Sequence, residues 1–159
     1  MNKATLISAF ADALEERLVS LRGARDAARS GMRVDGDHRP SNRGERGAVT
    51  SQGYLAAGIK GRIDVLEGQL ALLQQVDLEQ QEEVAAGALV STEDDSGLER
   101  RYLVLPGAQG DTLGAGEEAV TAVSPSSPIG SSLIGLSEGD SATLMIGGRQ
   151  LALEILQVE

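Results

Sequence analysis

The chain has 159 residues, a formal net charge of −10, no cysteine and only three aromatic residues, Phe10, Tyr54 and Tyr102. This length predicts one ordinary domain or two small ones and excludes a large multilayer enzyme. The lack of cysteine excludes disulfides and thiolate zinc sites. With no apolar run long enough to span a membrane, we expect a soluble cytoplasmic protein with a mainly aliphatic core.

The charge is unevenly distributed along the chain. Eleven Lys and Arg balance eleven Asp and Glu in residues 1–80, whereas residues 81–159 carry three basic and thirteen acidic side chains. An acidic region attracts basic protein surfaces and is repelled by phosphate backbones. The second half is therefore expected to bind a protein, and no direct DNA binding is expected.

Residues 5 to about 33 have the apolar spacing of a long helix. The apolar positions follow alternating steps of four and three and are Ile7, Ala11, Leu14, Leu18, Leu21, Ala28 and Met32. Arg25 interrupts this stripe. The pattern is typical of a coiled-coil seam.

A second helix is predicted from about Glu45 to Gln80. Its apolar face comprises Leu55, Ile59, Ile63, Leu66, Leu70 and Leu73. Two such stripes joined by a polar segment predict an antiparallel coiled-coil hairpin over residues 1–80. Because the seam is satisfied within one chain, a monomer is expected.

The polar segment between the two helices, which we call the tip segment, covers residues 34–46 and includes DGDHRPSNRGER at 35–46. It contains three carboxylates, Asp35, Asp37 and Glu45. Arginines accompany them and could contact phosphate or acidic groups of a partner. The alternative interpretation is a solvated connector whose charges have no specific role.

After residue 80 the pattern changes to that of short strands separated by turns. Strands are expected at 88–92, 100–105, 119–124, 142–146 and 151–158, and the glycine-rich segment 107–116 is interpreted as a loop. Gly147-Gly148 predicts a tight hairpin. Ser127 can cap a short helix that starts at Pro128 and ends near Gly135. The fold class is therefore α+β, with a small antiparallel sheet domain over residues 81–159.

The C-terminal segment VSPSSPIGSSLIGLSEGDSATLMIGGRQLALEILQVE, residues 123–159, is similar in order and spacing to that of the bacterial Gre-type transcription elongation factors. The resemblance implies an FKBP-like domain that docks at the rim of the RNA polymerase secondary channel. The implied docking residues are Ser127, Pro128, Ile129, Gly130, Leu133, Ile134 and Gly135. Core packing is nevertheless expected for at least two of Leu133, Ile134 and Leu136.

A weaker resemblance to the same family lies in GYLAAGIKGRIDVLEGQL, residues 53–70, and in the tip segment. The family tip carries Gly-Asp, a basic residue, Glu-Asn and a further acidic residue. The matching positions here are Gly36, Asp37, Arg39, Asn42 and Glu45, with Ser41 standing where the family has Glu.

The resemblance implies that Asp37 and Glu45 assist catalysis by the polymerase and share its Mg²⁺, without a cofactor bound to this chain alone. Asp35, Arg39, Asn42 and Arg43 are then tip contacts that lie near the RNA 3′ end. The factor would stimulate RNA cleavage by the polymerase and would not itself be an enzyme.

Two alternatives stay open at the level of sequence. Ser41 cannot act as an anionic metal ligand, so the chain could occupy the channel and regulate the polymerase without stimulating cleavage. A different class of function is a coiled-coil scaffold or adaptor unrelated to transcription.

Overall fold

The structure, a computed structural model, describes residues 2–30 and 43–159, apart from the side chains of Glu45 and Glu117. The elements in chain order are α1 (Lys3–Ser30), α2 (Arg43–Leu73), β1 (Leu89–Asp94), β2 (Glu99–Val104), β3 (Gln109–Leu113), a 3₁₀ turn (Gly116–Glu118), β4 (Val120–Val123), α3 (Pro128–Leu133), β5 (Ser141–Ile146) and β6 (Arg149–Val158).

These elements form two compact units. Residues 12–71 make a helical unit, and residues 2–11 together with 72–159 make a sheet unit. The predicted domains, 1–80 and 81–159, divide the chain differently, because the outer ends of both long helices belong to the sheet unit. The division into a hairpin domain and a docking domain stays a prediction.

The helical unit contains the predicted antiparallel pairing of α1 with α2. Leu14, Leu18 and Ala28 are buried on α1, and Arg22 forms an ion pair of 2.7 Å with Glu67 of α2. One seam position is corrected: Leu55 is 53% exposed, and the neighbouring Ala56 is buried instead. Met32 lies outside the described residues.

Helix α2 ends at Leu73, well before the predicted end near Gln80. The backbone amides of Gln75 and Val76 donate to carbonyls three residues earlier, which tightens and ends the last turn. Beyond it, the Val76 side chain lies against Gly87. These contacts draw residues 74–80 onto the sheet unit. The apolar face of this helix also ends at Leu73, so the predicted end near Gln80 lay beyond the stripe that supported it.

The first turn of α1 is attached to the same segment. Lys3 is buried, and its ammonium donates a hydrogen bond of 2.6 Å to the Glu79 carbonyl oxygen. Burial lowers the pKa of Lys3, while the charges of Asp77 and Glu159 oppose that shift. The hydrogen bond thus links the beginning of α1 to the chain beyond α2.

The sheet has six strands in the order β3-β4-β2-β1-β6-β5. All neighbours are antiparallel except β2 and β4, which are parallel. The predicted α+β fold class with an antiparallel sheet and one short helix is confirmed, since the sheet is mostly antiparallel. Two details differ: one pair of strands is parallel, and residues 107–116, interpreted as a loop, contain a strand. The loop segment contains β3, which forms a hairpin with β4 at one edge, and this insertion places β4 beside β2 in the parallel direction.

The core of the sheet unit lies between one face of the sheet and α3. Its buried members include Val84, Val90, Tyr102, Val104, Leu133, Ala142, Leu144, Leu153 and Ile155. Strand β5 alternates regularly, with Ala142 and Leu144 buried and their neighbours exposed. The hairpin to β6 turns at Gly147 and Gly148, whose φ angles of 57° and 78° fit the predicted two-residue turn.

Candidate functional site

The tip segment is largely outside the described residues. Asp35, Asp37, Arg39 and Asn42 fall there, so their predicted roles stay predictions. Arg43 is the first residue of α2 and is exposed, and Glu45 lies in the first turn of the same helix. Within residues 2–30 and 43–159, no group of three or more His, Asp or Glu side chains is placed to hold a metal ion.

The sheet unit contains the second predicted region, which is built around the N-terminus of α3. The Ser127 hydroxyl accepts a hydrogen bond of 3.0 Å from the Gly130 amide and donates one of 2.7 Å to the Ser124 carbonyl oxygen. Pro128 occupies the first helical position. The predicted cap is confirmed, since this pairing satisfies one of the free amides of the first turn.

Gly130 is required for this arrangement. A Cβ at this position would overlap the carbonyl carbon and oxygen of Ser124, which are backbone atoms and cannot rotate away. The lack of a side chain therefore lets α3 pack directly on the chain that leaves β4. Gly130 fixes the position of Pro128 and Ile129.

The C-terminal end of α3 is fixed in a similar way. Gly135 has a φ of +79°, a backbone conformation that residues other than glycine rarely adopt. Its amide donates to the Val84 carbonyl oxygen at 2.8 Å, and the Val84 amide donates to Leu136 at the same distance. Both ends of this short helix are thus held by hydrogen bonds, the start through the Ser127 hydroxyl and the end through backbone groups.

The predicted docking residues differ in accessibility. Pro128, Ile134 and Gly135 are exposed and Ile129 is half-buried, whereas Gly130 and Leu133 are buried. Leu133 is 0% exposed and packs in the core, so its side chain offers no surface to a partner. Leu136 also packs against the core, which confirms core packing for two of the three apolar residues in question.

An apolar groove of about 340 Å³ lies beside the start of α3; we call it the α3 groove. It is lined by side chains and backbone of β3, β4, α3 and β5, including Gln109, Thr121, Val123, Pro128, Ile129 and Ile146. Sequence reasoning missed Gln109 and Ile146. The alternation of β5 contained the signal for Ile146, because that residue continues the face of Ala142 and Leu144 beyond the covered core.

The half of the sequence that contains the groove is acidic as a whole, although Arg149 is the cross-strand neighbour of Ile146. Residues 81–159 have only three basic side chains, and Arg100 lies 3.9 Å from the carboxylate of Asp94. None of the groove residues is charged. The site therefore combines an uncharged apolar groove with a negatively charged unit, which suits a protein partner with apolar side chains set in a basic surface.

No helix in the described part of the chain is long and apolar enough to cross a membrane. A family model described as "Transcription elongation factor, GreA/GreB, C-term" matches residues 79–159. Similarity also extends over most of the chain. "Transcription elongation factor GreA" of Desulfovibrio desulfuricans is 34% identical over 152 residues, covering 92% of this chain and 87% of that protein.

Two further similarities cover different shares of the chain. "Transcription elongation factor GreA" of Alkalilimnicola ehrlichii is 34% identical over 104 residues, covering 63% of this chain and 62% of that protein. Among solved structures, "GreA factor homolog 1 (Gfh1) protein of Thermus thermophilus" is 21% identical with a TM-score of 0.41, covering 94% of each chain.

Proposed function

The chain belongs to the GreA/GreB family of transcription elongation factors, and from this membership we propose that it binds RNA polymerase at the secondary channel. In this proposal the sheet unit docks at the channel rim, and the helical unit carries the tip segment toward the active centre. The observation that carries the proposal is the length of the two helices. Their 28 and 31 residues correspond to about 42 and 46 Å at 1.5 Å per residue.

The two helices are longer than is needed to bury the apolar side chains of one small core. In the helical unit the buried positions form one narrow seam, and the other faces are exposed. Helices stabilised by a single seam are suited to work as an extension that carries a functional end. The single seam therefore supports the proposal that the tip segment, which joins α1 and α2, is the functional end.

Docking is proposed at the α3 groove and the exposed start of α3. Pro128, Ile129 and Ile146 offer apolar contacts. The hydrogen bonds of the Ser127 hydroxyl and of the Gly135 amide hold the two ends of α3 in place. Preorganised apolar side chains lose little conformational entropy on binding. The net negative charge of residues 81–159 favours a basic surface on the polymerase.

The proposed action of the tip is to stimulate cleavage of backtracked RNA by the polymerase. The carboxylates of Asp37 and Glu45 would supply oxygen ligands for a Mg²⁺ shared with the polymerase, an ion that takes one or two carboxylates and keeps several waters. The arginines of the segment would neutralise phosphate near the RNA 3′ end. Hydrolysis itself belongs to the polymerase in this proposal.

One residue favours a second candidate. Ser41 stands where the family tip has Glu, so the segment has one anionic ligand fewer than the family pattern. A factor with this change could enter the channel and regulate the polymerase without stimulating cleavage. Binding is common to both candidates, and cleavage separates them.

The test uses halted, backtracked elongation complexes with end-labelled RNA. We expect the wild-type protein to bind these complexes and shorten the RNA, and we expect Asp37→Ala and Glu45→Ala to bind equally well but to slow shortening by about 10²-fold or more, as loss of a charge-stabilising group does. Asp12→Ala, which removes an exposed carboxylate of α1, is the matched control and should behave as wild type.

The other outcomes are equally informative. Binding without RNA shortening by the wild type supports the channel-occupying regulator. Shortening that survives both tip substitutions contradicts the roles of Asp37 and Glu45. Failure to bind the polymerase overturns both candidates. The function that then remains is the coiled-coil scaffold or adaptor.

A further inference from the structure

The acidic half of the chain places two of its few basic side chains next to the α3 groove. Residues 81–159 contain only three basic side chains, Arg100, Arg101 and Arg149. Arg149 is the cross-strand partner of Ile146, which lines the groove, and side chains directly opposite each other on neighbouring strands share one face of the sheet. Arg149 is therefore placed beside the groove.

A second cavity, of about 650 Å³, adjoins the α3 groove; we call it the arginine cavity. Its lining includes Arg100 of β2 and Thr121 of β4, and Thr121 lines the α3 groove as well. Arg100 precedes Tyr102 by two residues, and Tyr102 is the partner of Thr121 and packs in the core beneath α3. Because alternate residues of a strand share a face, Arg100 lies on the same face of the sheet as the groove.

The guanidinium groups of Arg100 and Arg149 make no hydrogen bond among the described residues. Arg149 is exposed and has no ion pair there. Arg100 has one charged neighbour, the Asp94 carboxylate at 3.9 Å, which is beyond hydrogen-bonding distance. That carboxylate already accepts hydrogen bonds from the Ser96 hydroxyl and from the amides of Ser96 and Leu98. Both arginines can therefore donate hydrogen bonds to a carboxylate of another molecule.

We propose that the partner segment bound at the α3 groove carries an apolar side chain flanked by two acidic side chains, one of which pairs with Arg100 and the other with Arg149. This inference rests on the proposed function, in which the partner is RNA polymerase. Apolar contacts are not directional, whereas a guanidinium and a carboxylate pair in a defined geometry. The two arginines would thus fix the position of the bound segment along the groove.

The register of β2 and β4 sets the spacing that such a segment needs. Val123 of β4 lines the groove and pairs with Val104 of β2, and Arg100 lies four residues before Val104. At about 3.3 Å per residue, the backbone of Arg100 is about 13 Å from that pair along the strands. An extended partner segment covers this distance in about four residues, and a helix in about nine.

This arrangement agrees with the net negative charge of residues 81–159. The net charge acts on the approach of a partner from a distance, whereas a pair in contact depends on the charges within about 10 Å. Carboxylates that meet the two arginines would be attracted, and carboxylates that meet the acidic remainder would be repelled. The partner surface is then basic in general and acidic only beside the groove, which makes the contact specific.

The first experiment titrates labelled full-length factor with core RNA polymerase at several salt concentrations. Arg100→Gln and Arg149→Gln should each raise the Kd by about tenfold at low salt, as loss of a charged hydrogen bond does. Their binding should also depend less steeply on salt, because one ion pair is missing. A purely structural role of either arginine would not change this dependence.

Arg101→Gln is the matched control for both variants. It removes the same charge from the residue next to Arg100. Arg101 also borders the arginine cavity, but it is half-buried and successive side chains of a strand point to opposite faces. Its Kd and its salt dependence should stay within about twofold of the wild-type values. Equal thermal midpoints of the variants would show that the fold is retained.

The second experiment identifies the acidic side chains of the partner. A water-soluble carbodiimide joins an amine to a carboxylate that is in direct contact with it. In complexes with polymerase, Arg100→Lys and Arg149→Lys should each give a cross-link to an Asp or Glu of the polymerase, located by mass spectrometry of the digested complex. Arg101→Lys should give none.

The results that would overturn this inference differ from those that would overturn the proposed function. Arg100→Gln and Arg149→Gln variants that bind as Arg101→Gln does overturn the inference, and so does an absence of cross-links from both positions. An effect at only one of the two arginines overturns the flanked arrangement. If the wild type still binds and Ile146→Ser weakens that binding, the α3 groove remains the docking site. A wild type that does not bind polymerase overturns both.

Discussion

At Gly130, the addition of a single methyl group is expected to disturb the position of α3. Gly130→Ala would force a Cβ into the Ser124 backbone, and overpacking of this kind costs about 1–3 kcal/mol. Gly23→Ala is the control, because a Cβ there meets no atom within 4 Å among the described residues and alanine stabilises a helix by up to about 1 kcal/mol. In urea unfolding, the free energy of unfolding should fall for Gly130→Ala and stay equal or rise for Gly23→Ala. A fall of similar size in both variants would contradict this account of Gly130.

Asp94 makes a second residue-scale prediction, which concerns pH. Its carboxylate accepts hydrogen bonds from the Ser96 hydroxyl and from the amides of Leu98 and Ser96 in the β1–β2 turn. These bonds, together with the nearby charge of Arg100, lower the pKa of Asp94 from its usual 3.8.

Because the folded state holds the ionised form, the contribution of Asp94 to stability is present above pH 3.8 and is lost as the pH falls through the lowered value. Asp94→Asn should therefore reduce the thermal midpoint at neutral pH, and the difference from wild type should shrink in strong acid. Asp95→Asn, at an exposed neighbour, should change little. A difference that is independent of pH would show that the charge of Asp94 is not the cause.

At the scale of elements, the parts predicted correctly are those set by local chemistry. Ser127 and Pro128 specify the start of α3, and Gly147-Gly148 specify the last turn, because caps and tight turns depend on a few adjacent residues. Strand β3 was missed because Gly110 and Asp111 interrupt it and only Leu113 is buried. An edge strand is held by backbone bonds to β4, so it needs no apolar alternation.

Non-local contacts account for the other differences. The parallel pairing of β2 with β4 depends on the insertion of β3, and the early end of α2 depends on Val76 meeting Gly87. Neither contact leaves a periodic signal in the sequence. The same limit applies to the candidate site, where the α3 residues were predicted and the contribution of β3 and β5 to the groove was not.

The α3 groove gives the element-scale prediction. Ile146→Ser should weaken binding to core RNA polymerase by about tenfold, the effect of losing one well-packed apolar contact of 1–2 kcal/mol. Met145→Ser is the matched control, since Met145 is the adjacent residue of β5, points to the opposite face and is more exposed. Fluorescence titration of labelled factor with polymerase measures both. Equal weakening by the two variants would exclude the groove as the docking surface.

At the scale of the whole molecule, the two halves of the sequence differ in net charge, and the proposed function gives them different tasks. In the proposed function, the balanced charge of residues 1–80 would suit helices that pass along a partner of mixed charge, and the excess acid of residues 81–159 would suit attachment to a basic rim. The charge distribution and the change of period predicted two regions, and the family resemblance implied their tasks. The sequence could not show that Tyr54 and Val65 of α2 are exposed, because that depends on which face of the helix packs against α1.

The central claim is that the tip segment reaches the active centre of RNA polymerase, and site-specific photocrosslinking tests it most directly. A photoreactive residue at Asn42 in the tip segment is compared with one at Glu138, an exposed position of the sheet unit, in backtracked complexes with labelled RNA. The account predicts that Asn42 cross-links to the RNA 3′ end and the active-centre subunit, and that Glu138 cross-links only to the outer surface. Cross-linking of RNA from Asn42 no greater than from Glu138 would contradict it.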